Sequence, residues 1–128
     1  MNIPEHLNAQ LTLSATQQTD AGVKEVNEDC MGISIPQGRE LAMKGAVAVI
    51  ADGVSTAEAG KEAAETCVQN FISDYYSTPE SWSVATAGQK ILTALNRWLY
   101  GQGQHFIDAH RGYISTLSAL VLKSNTCL

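Results

Sequence analysis

Three acids carry the chemistry this sequence can be read for. Glu28 and Asp29 follow Asn27, and Asp52 closes the run Gly45-Ala46-Val47-Ala48-Val49-Ile50-Ala51-Asp52-Gly53. Carboxylates are hard oxygen ligands, suited to Mg²⁺ or Mn²⁺ rather than zinc. Two such cations sharing a carboxylate and a water can acidify that water and direct it at a phosphoryl group. The spacing does not by itself bring the three acids together. Taken singly, each is an ordinary turn acid, and Asp52 could equally be solvated or cap the helix after it.

The elements that must position them follow from hydropathy. Residues 45–51 are small or β-branched and apolar, the pattern of a strand buried on both faces. Asp52 then sits at the strand mouth, and Gly53 permits a sharp turn and the close approach of another group. Upstream, Leu11-Thr12-Leu13-Ser14-Ala15-Thr16 alternates and predicts a half-buried strand. Thr19-Asp20-Ala21-Gly22 reads as a turn, in which Asp20 shapes the backbone. Cys30 to Ile35 predicts a second strand, and Pro36 to Lys44 a polar hairpin connection.

After Gly53 the period changes. Ser55 or Thr56 is an N-cap candidate, with Glu58 at capping-box distance from Ser55. Ala59, Ala63, Cys67 and Phe71 recur at i+4, widened by Val68, Ile72 and Tyr75, and predict a helix that Pro79 stops. Pro79 opens a second helix whose apolar face holds Val84, Ala87, Ile91, Leu95 and Trp98, ending near Gly101-Gln102-Gly103. Trp82, Trp98, Tyr75, Tyr76 and Tyr100 are expected to line the packing of the two helices. Ile114 to Leu122 returns to a strand, and Lys123-Ser124-Asn125 begins a turn. Strands before helices favour an α+β layered domain over a doubly wound sheet. The last strand is apolar with nothing after it to pair it. It therefore predicts that the sequence stops in mid-domain, and that homo-oligomers could form through this open strand.

The 128 residues suit one domain spanning 1–128, and 45% hydrophobic with 16% charged residues is a globular composition. A net charge of -5 does not suggest a nucleic-acid or anionic-membrane partner on bulk electrostatics, and suits a cation if the carboxylates converge. Cys30, Cys67 and Cys127, an odd count without paired spacing, argue against a disulfide framework or zinc ribbon and for reducing cytoplasm. No signal peptide is visible in Met1 to His6, and no run could span a bilayer. His6, His105 and His110 lack a metal pattern, Asp74 and Asp108 match no signature, and Ser55 has no base at a recognisable spacing.

Thr19-Asp20-Ala21-Gly22-Val23-Lys24-Glu25-Val26-Asn27-Glu28-Asp29 resembles the first signature of the metal-dependent protein serine/threonine phosphatases, the protein phosphatase 2C family. Ala46 to Gly53 is similar to the second, a strand ending in Ala-Asp-Gly. Gly112-Tyr113-Ile114-Ser115-Thr116-Leu117 is similar to its Gly-Thr-Thr-Leu strand start. The resemblance covers Leu11 to Lys123, and is greatest to bacterial members that can be fused to a protein kinase domain. It implies a layered α-β-β-α sandwich and hydrolysis of phosphoserine and phosphothreonine in proteins. Asp52 would bridge two Mg²⁺ or Mn²⁺ ions, with the Gly53 carbonyl, Glu28 and Asp29 completing part of their shells directly or through water. Lys24 stands where the family often has a phosphate-binding arginine, and with Asp52 would form the catalytic pair. A lysine offers a point charge instead of a bidentate fork. Val54-Ser55-Thr56 leaves no histidine after Asp52-Gly53, and the family's C-terminal aspartates have no counterpart. The chain alone is therefore expected to be weak or inactive. The alternative is a non-catalytic, phosphatase-like interaction or regulatory module.

Overall fold

The computed structural model describes residues 12–54, 59–104, 112–124 and 126–128. Their elements are β1 (Asp29–Ser34), α1 (Gly38–Lys44), β2 (Ala46–Asp52), α2 (Gly60–Ser77), α3 (Val84–Gly103), β3 (Ser118–Lys123) and β4 (Thr126–Cys127). The strands form one antiparallel sheet in the order β1-β2-β3-β4. The fold is therefore α+β. Among the described residues no helix is long and apolar enough to cross a membrane.

Strand β2 lies at the centre, paired with β1 through Asp29↔Asp52 to Ser34↔Val47 and with β3 through Ala46↔Leu122 to Ile50↔Ser118. Its alternation fixes which face is covered. Val47, Val49 and Ala51 are buried against the helices, whereas Ile50 is 56% exposed on the opposite face. Burial on both faces, expected from the unbroken apolar run, holds along the face of Val47, Val49 and Ala51; on the other face Ala46 is buried, Ala48 partly so and Ile50 exposed. Cross-strand partners share a face, so Ile33 and Leu120 join Ile50 there, both partly exposed.

Helix α2 supplies the cover. Ala63, Ala64, Cys67, Val68, Phe71 and Tyr75 are buried in one cluster with the β2 side chains. Small residues in its first turns let the backbone lie close to the sheet. Helix α3 returns along α2 and buries Ala87, Ile91, Leu95 and Leu99 at i+4 steps. Ser83, not Pro79, starts it: the Ser83 hydroxyl accepts the Thr86 amide at 3.1 Å, and Pro79 lies in a preceding turn closed by Trp82 N–H to Pro79 O at 3.0 Å. Trp98 lies beside the buried stripe, 44% exposed and edge-on to Tyr113 at 6.1 Å, and Tyr100 points further out. Of the aromatics expected between the helices, Tyr75 alone is fully buried.

Three expectations for the connections are corrected. Residues 12–16 form no strand; Leu11 lies outside the described residues. Alternation marks a segment able to pair but names no partner, and β1 is the edge of the sheet. The predicted hairpin loop contains α1. Its last residue, Lys44, is buried, and its ammonium donates to Thr78 O and Thr78 Oγ1, both at 2.6 Å, at the C-terminus of α2. Tyr75 Oη donates back to Lys44 O at 2.6 Å. A cation at a helix C-terminus satisfies carbonyls that the ladder leaves open. Burial pushes the Lys44 pKa down, partly countered by Glu80. Lastly, the terminal strand is not bare: β4 pairs with β3, and Val121 and Leu128 exchange hydrogen bonds of 2.7 and 3.0 Å. The Ser55, Thr56 and Glu58 capping readings lie outside the described residues.

Candidate functional site

The antiparallel register sets Asp29, the first residue of β1, directly opposite Asp52, the last of β2. Side chains of such a pair project from the same face. This places the two carboxyl groups side by side, and the Asp52 carboxyl raises the Asp29 pKa through a side-chain hydrogen bond, with desolvation and the Asp52 charge adding to it. The Lys24 ammonium pulls it back down and Glu28 pushes it up. Two adjacent carboxylates repel when both are ionised, and a divalent cation between them removes that repulsion.

Glu28 precedes Asp29 and so points to the other side of the strand. Its carboxylate lies over Gly60, the first residue of α2, where a Cβ would collide with Glu28 Oε2. Gly53 fits equally closely. Its N–H donates to Glu28 O at 2.9 Å, and a Cβ there would strike the Gly60 carbonyl. The two glycines let the end of β2, the start of β1 and the start of α2 converge without side chains between them. Among the described residues no group of three or more His, Cys, Asp or Glu is placed to hold a metal ion. The acids brought together are Asp29 and Asp52, with Glu28 one step behind them.

Lys24 sits in the loop ahead of β1, which is built from local side-chain bonds. Asp20 Oδ1 accepts the Gly22 amide at 2.6 Å, as the turn reading predicts. Asn27 donates to Thr19 Oγ1 at 3.0 Å and accepts the Asp29 amide at 3.1 Å. Sequence reading treats Asn27 only as part of a motif; its bonds show that it ties the Lys24 loop to Asp29. An asparagine just before a strand is the available signal, since its amide can bond the backbone two residues on.

The segment Gly112 to Leu117 closes the other side. Gly53 bridges to Ser115, Val54 N–H donates to Ile114 O at 3.0 Å, and Thr116 N–H donates to Asp52 O at 2.9 Å. Asp52 N–H donates to Thr116 Oγ1 at 3.2 Å. Tyr113 donates to Glu62 Oε2 at 2.7 Å and rests on Trp98. Clefts of about 390 Å³ beside Val84 and Val121, and of about 400 Å³ along Gln89 and Arg97 of α3, lie away from the acids. The acids stand on an open rim. Asp74 is exposed on α2, away from that rim, while His6, His105, His110 and Asp108 lie outside the described residues.

The Asp29 shift gives a pH prediction. A folded pKa above the ordinary carboxylate value means that the folded chain takes up this proton first as pH falls. The Asp29–Asp52 pair therefore costs the cation-free fold stability at neutral pH, and this cost fades as pH falls through the raised pKa. Asp29→Asn removes it. We expect the variant to melt above the wild type at pH 7 without divalent cations, and the gap to close as pH falls towards 4, measured by circular dichroism. A gap that is constant with pH would contradict the pairing. The chain was compared with family models, curated proteins and solved structures, and none matches it.

Proposed function

We propose that this chain carries part of the active site of a Mg²⁺- or Mn²⁺-dependent protein phosphatase acting on phosphoserine and phosphothreonine. The observation that carries the reading is the meeting of Asp29 and Asp52 at one strand end, beside the loop that bears Lys24. The residues fit the ion. Mg²⁺ is commonly held by one or two carboxylates and keeps several waters. Asp52 and Asp29 would hold it, with Glu28 and the Gly53 carbonyl as further oxygen donors. A bound divalent cation supplies Lewis acidity to a phosphoryl group and acidifies a water.

The chain's own residues do the rest. Asp52 and Asp29 present negative charge on a rigid strand pair. Lys24 attracts phosphoryl oxygens and offsets their charge, without the two-pronged geometry of an arginine. The open rim suits a phosphorylated segment of a protein better than an enclosed small molecule. In the full layered sandwich that the motifs imply, a second sheet would cover the face bearing Ile33, Ile50 and Leu120. The kinase fusion and the cytoplasmic setting remain part of the same proposal. The exposure of that apolar face, beside two converging acids among the described residues, favours a second reading, a phosphatase-like module that binds without hydrolysing.

A calorimetric Mn²⁺ titration of the chain, followed by an assay of phosphate release from a phosphothreonine peptide, tests the proposal. Saturable Mn²⁺ binding at micromolar to millimolar concentration is expected, with slow Mn²⁺-dependent release. Because the chain holds only part of the site, the titration decides between the readings: no binding would overturn the phosphatase and favour the module, and robust release would show this part to be sufficient by itself.

A further inference from the structure

Thr116 is the cross-strand neighbour of Asp52 on the side away from Asp29. The register that pairs Ile50 with Ser118 and bridges Gly53 to Ser115 sets Thr116 opposite Asp52. A regular antiparallel pair would exchange two backbone hydrogen bonds at that point. One of them is made, from Thr116 N–H to Asp52 O at 2.9 Å. In the other direction the Asp52 N–H goes instead to the Thr116 hydroxyl, at 3.2 Å. Ser115 Oγ stands 3.2 Å from Asp52 O and 2.8 Å from Thr116 O. The main chain of Asp52 is thus held by hydroxyls where a strand would ordinarily use its own carbonyl.

From this geometry we infer that Thr116 is a positioning residue for Asp52: its hydroxyl fixes the backbone from which the carboxylate reaches Asp29 and a divalent cation. The inference rests on the phosphatase reading and assigns a task to the Ser115-Thr116 pair, which that reading leaves without one. Asp52 ends β2, and beyond it the chain turns away at Gly53. A strand end frays unless both of its backbone groups are bound. On one side Asp52 faces β1, whose loop also carries Lys24. On the other, the hydroxyl of Thr116 is the only hydrogen-bond acceptor that the described residues place on the Asp52 N–H. Because Thr116 touches the Asp52 backbone and not the reacting groups, its removal would alter how the carboxylate is held, not the chemistry available.

The test compares Mn²⁺ affinity, by calorimetry on the 128-residue chain, for wild type, Thr116→Val and Thr116→Ser. Valine keeps the shape and removes the hydroxyl, while serine keeps the hydroxyl and removes the methyl. We expect Thr116→Val to bind Mn²⁺ about fivefold more weakly, the scale of one hydrogen bond, and Thr116→Ser to stay within about twofold of wild type. Thr116→Ala replaces valine should the branched side chain prevent folding, which circular dichroism reports. Wild-type affinity in Thr116→Val would overturn the inference while leaving the phosphatase reading intact. An equal loss in Thr116→Ser would overturn it too, since the methyl and not the hydroxyl would then matter. A wild type that binds no Mn²⁺ would remove the phosphatase reading and this inference together.

Discussion

Asp52→Asn is expected to lower Mn²⁺ affinity by more than tenfold without lowering the melting temperature of the cation-free chain. The two halves of this result have one cause. Asp52 faces Asp29 across β1 and β2, and its carboxyl group raises the Asp29 pKa. With a cation present, the pair supplies two charged oxygen ligands, and an amide supplies a neutral, weaker one. Without a cation the same pair is a repulsion, which the amide relieves. Most substitutions that abolish a function by damaging a fold lower stability as well. Here the two readouts should part, with binding lost and the fold retained or slightly firmer. Asp74→Asn, exposed on α2, serves as the control and should change neither. The same measurement separates a metal site from a structural acid. If Asp52 merely ended a strand, its amide variant would bind Mn²⁺ as the wild type does. Added Mn²⁺ should raise the melting temperature of wild type and of Asp74→Asn, since a ligand bound only by the folded state stabilises it by mass action. Asp52→Asn should show little of that rise.

What the sequence makes legible and what it leaves hidden divide along a physical line. Local periodicity identifies β1, β2, α2, α3 and β3, because a 3.6-residue or two-residue repeat is a property of neighbouring residues. The acid at the mouth of β2 is legible for the same reason: an apolar run ending in Asp-Gly must surface there. The partners of these elements are not local. Nothing in Pro36 to Lys44 announces that Lys44 will reach the C-terminus of α2, more than thirty positions on, and thereby favour a helix where a loop was expected. The alternation of residues 11–16 gives no hint that β1 would be an edge. The exposure of one face of β2 at Ile50 was hidden too. Ala48 and Ile50 are as apolar as Val47 and Val49, and only the layer on each side distinguishes them. At the site, the residue types were readable but their convergence was not. Asp29 and Asp52 are brought together by a register of six consecutive pairs, whereas Glu28, adjacent in sequence, is turned towards α2 by the strand's own alternation. Thr116 was visible as part of a motif, and its bond to Asp52 depends on a pairing between segments more than sixty residues apart.

The convergence at the strand end also makes Gly53 the position at which the smallest addition should do the most harm. Gly53→Ala adds one methyl group, and that carbon would meet the Gly60 carbonyl closer than non-bonded atoms allow, with Glu28 O at 2.9 Å on the same side. Both obstacles are backbone. Neither can rotate aside as a side-chain tip would, so relief requires moving the first turn of α2 or the start of β1. Either movement strains the bonds that fasten this corner: Gly53 N–H to Glu28 O, Val54 N–H to Ile114 O and Ala59 N–H to Gly112 O, at 2.9, 3.0 and 3.2 Å. Overpacking of this kind costs roughly 1–3 kcal/mol, and more where backbone must shift. We therefore expect a clear fall in the urea midpoint, accompanied by weaker Mn²⁺ binding, because Asp52 is the neighbouring residue. Gly88→Ala gives the comparison its edge. Gly88 lies inside α3, and a Cβ there meets nothing within 4 Å. The same chemical change should then stabilise by about 0.5–1 kcal/mol through helix propensity, leaving Mn²⁺ binding untouched. Opposite signs from one substitution at two glycines would show that close approach at the end of β2, and not glycine content in general, holds the acids in place. An unchanged midpoint in Gly53→Ala would mean that the strand end and α2 are not pressed together as described, and the placing of Glu28 over Gly60 beside the Asp29–Asp52 pair would have to be given up.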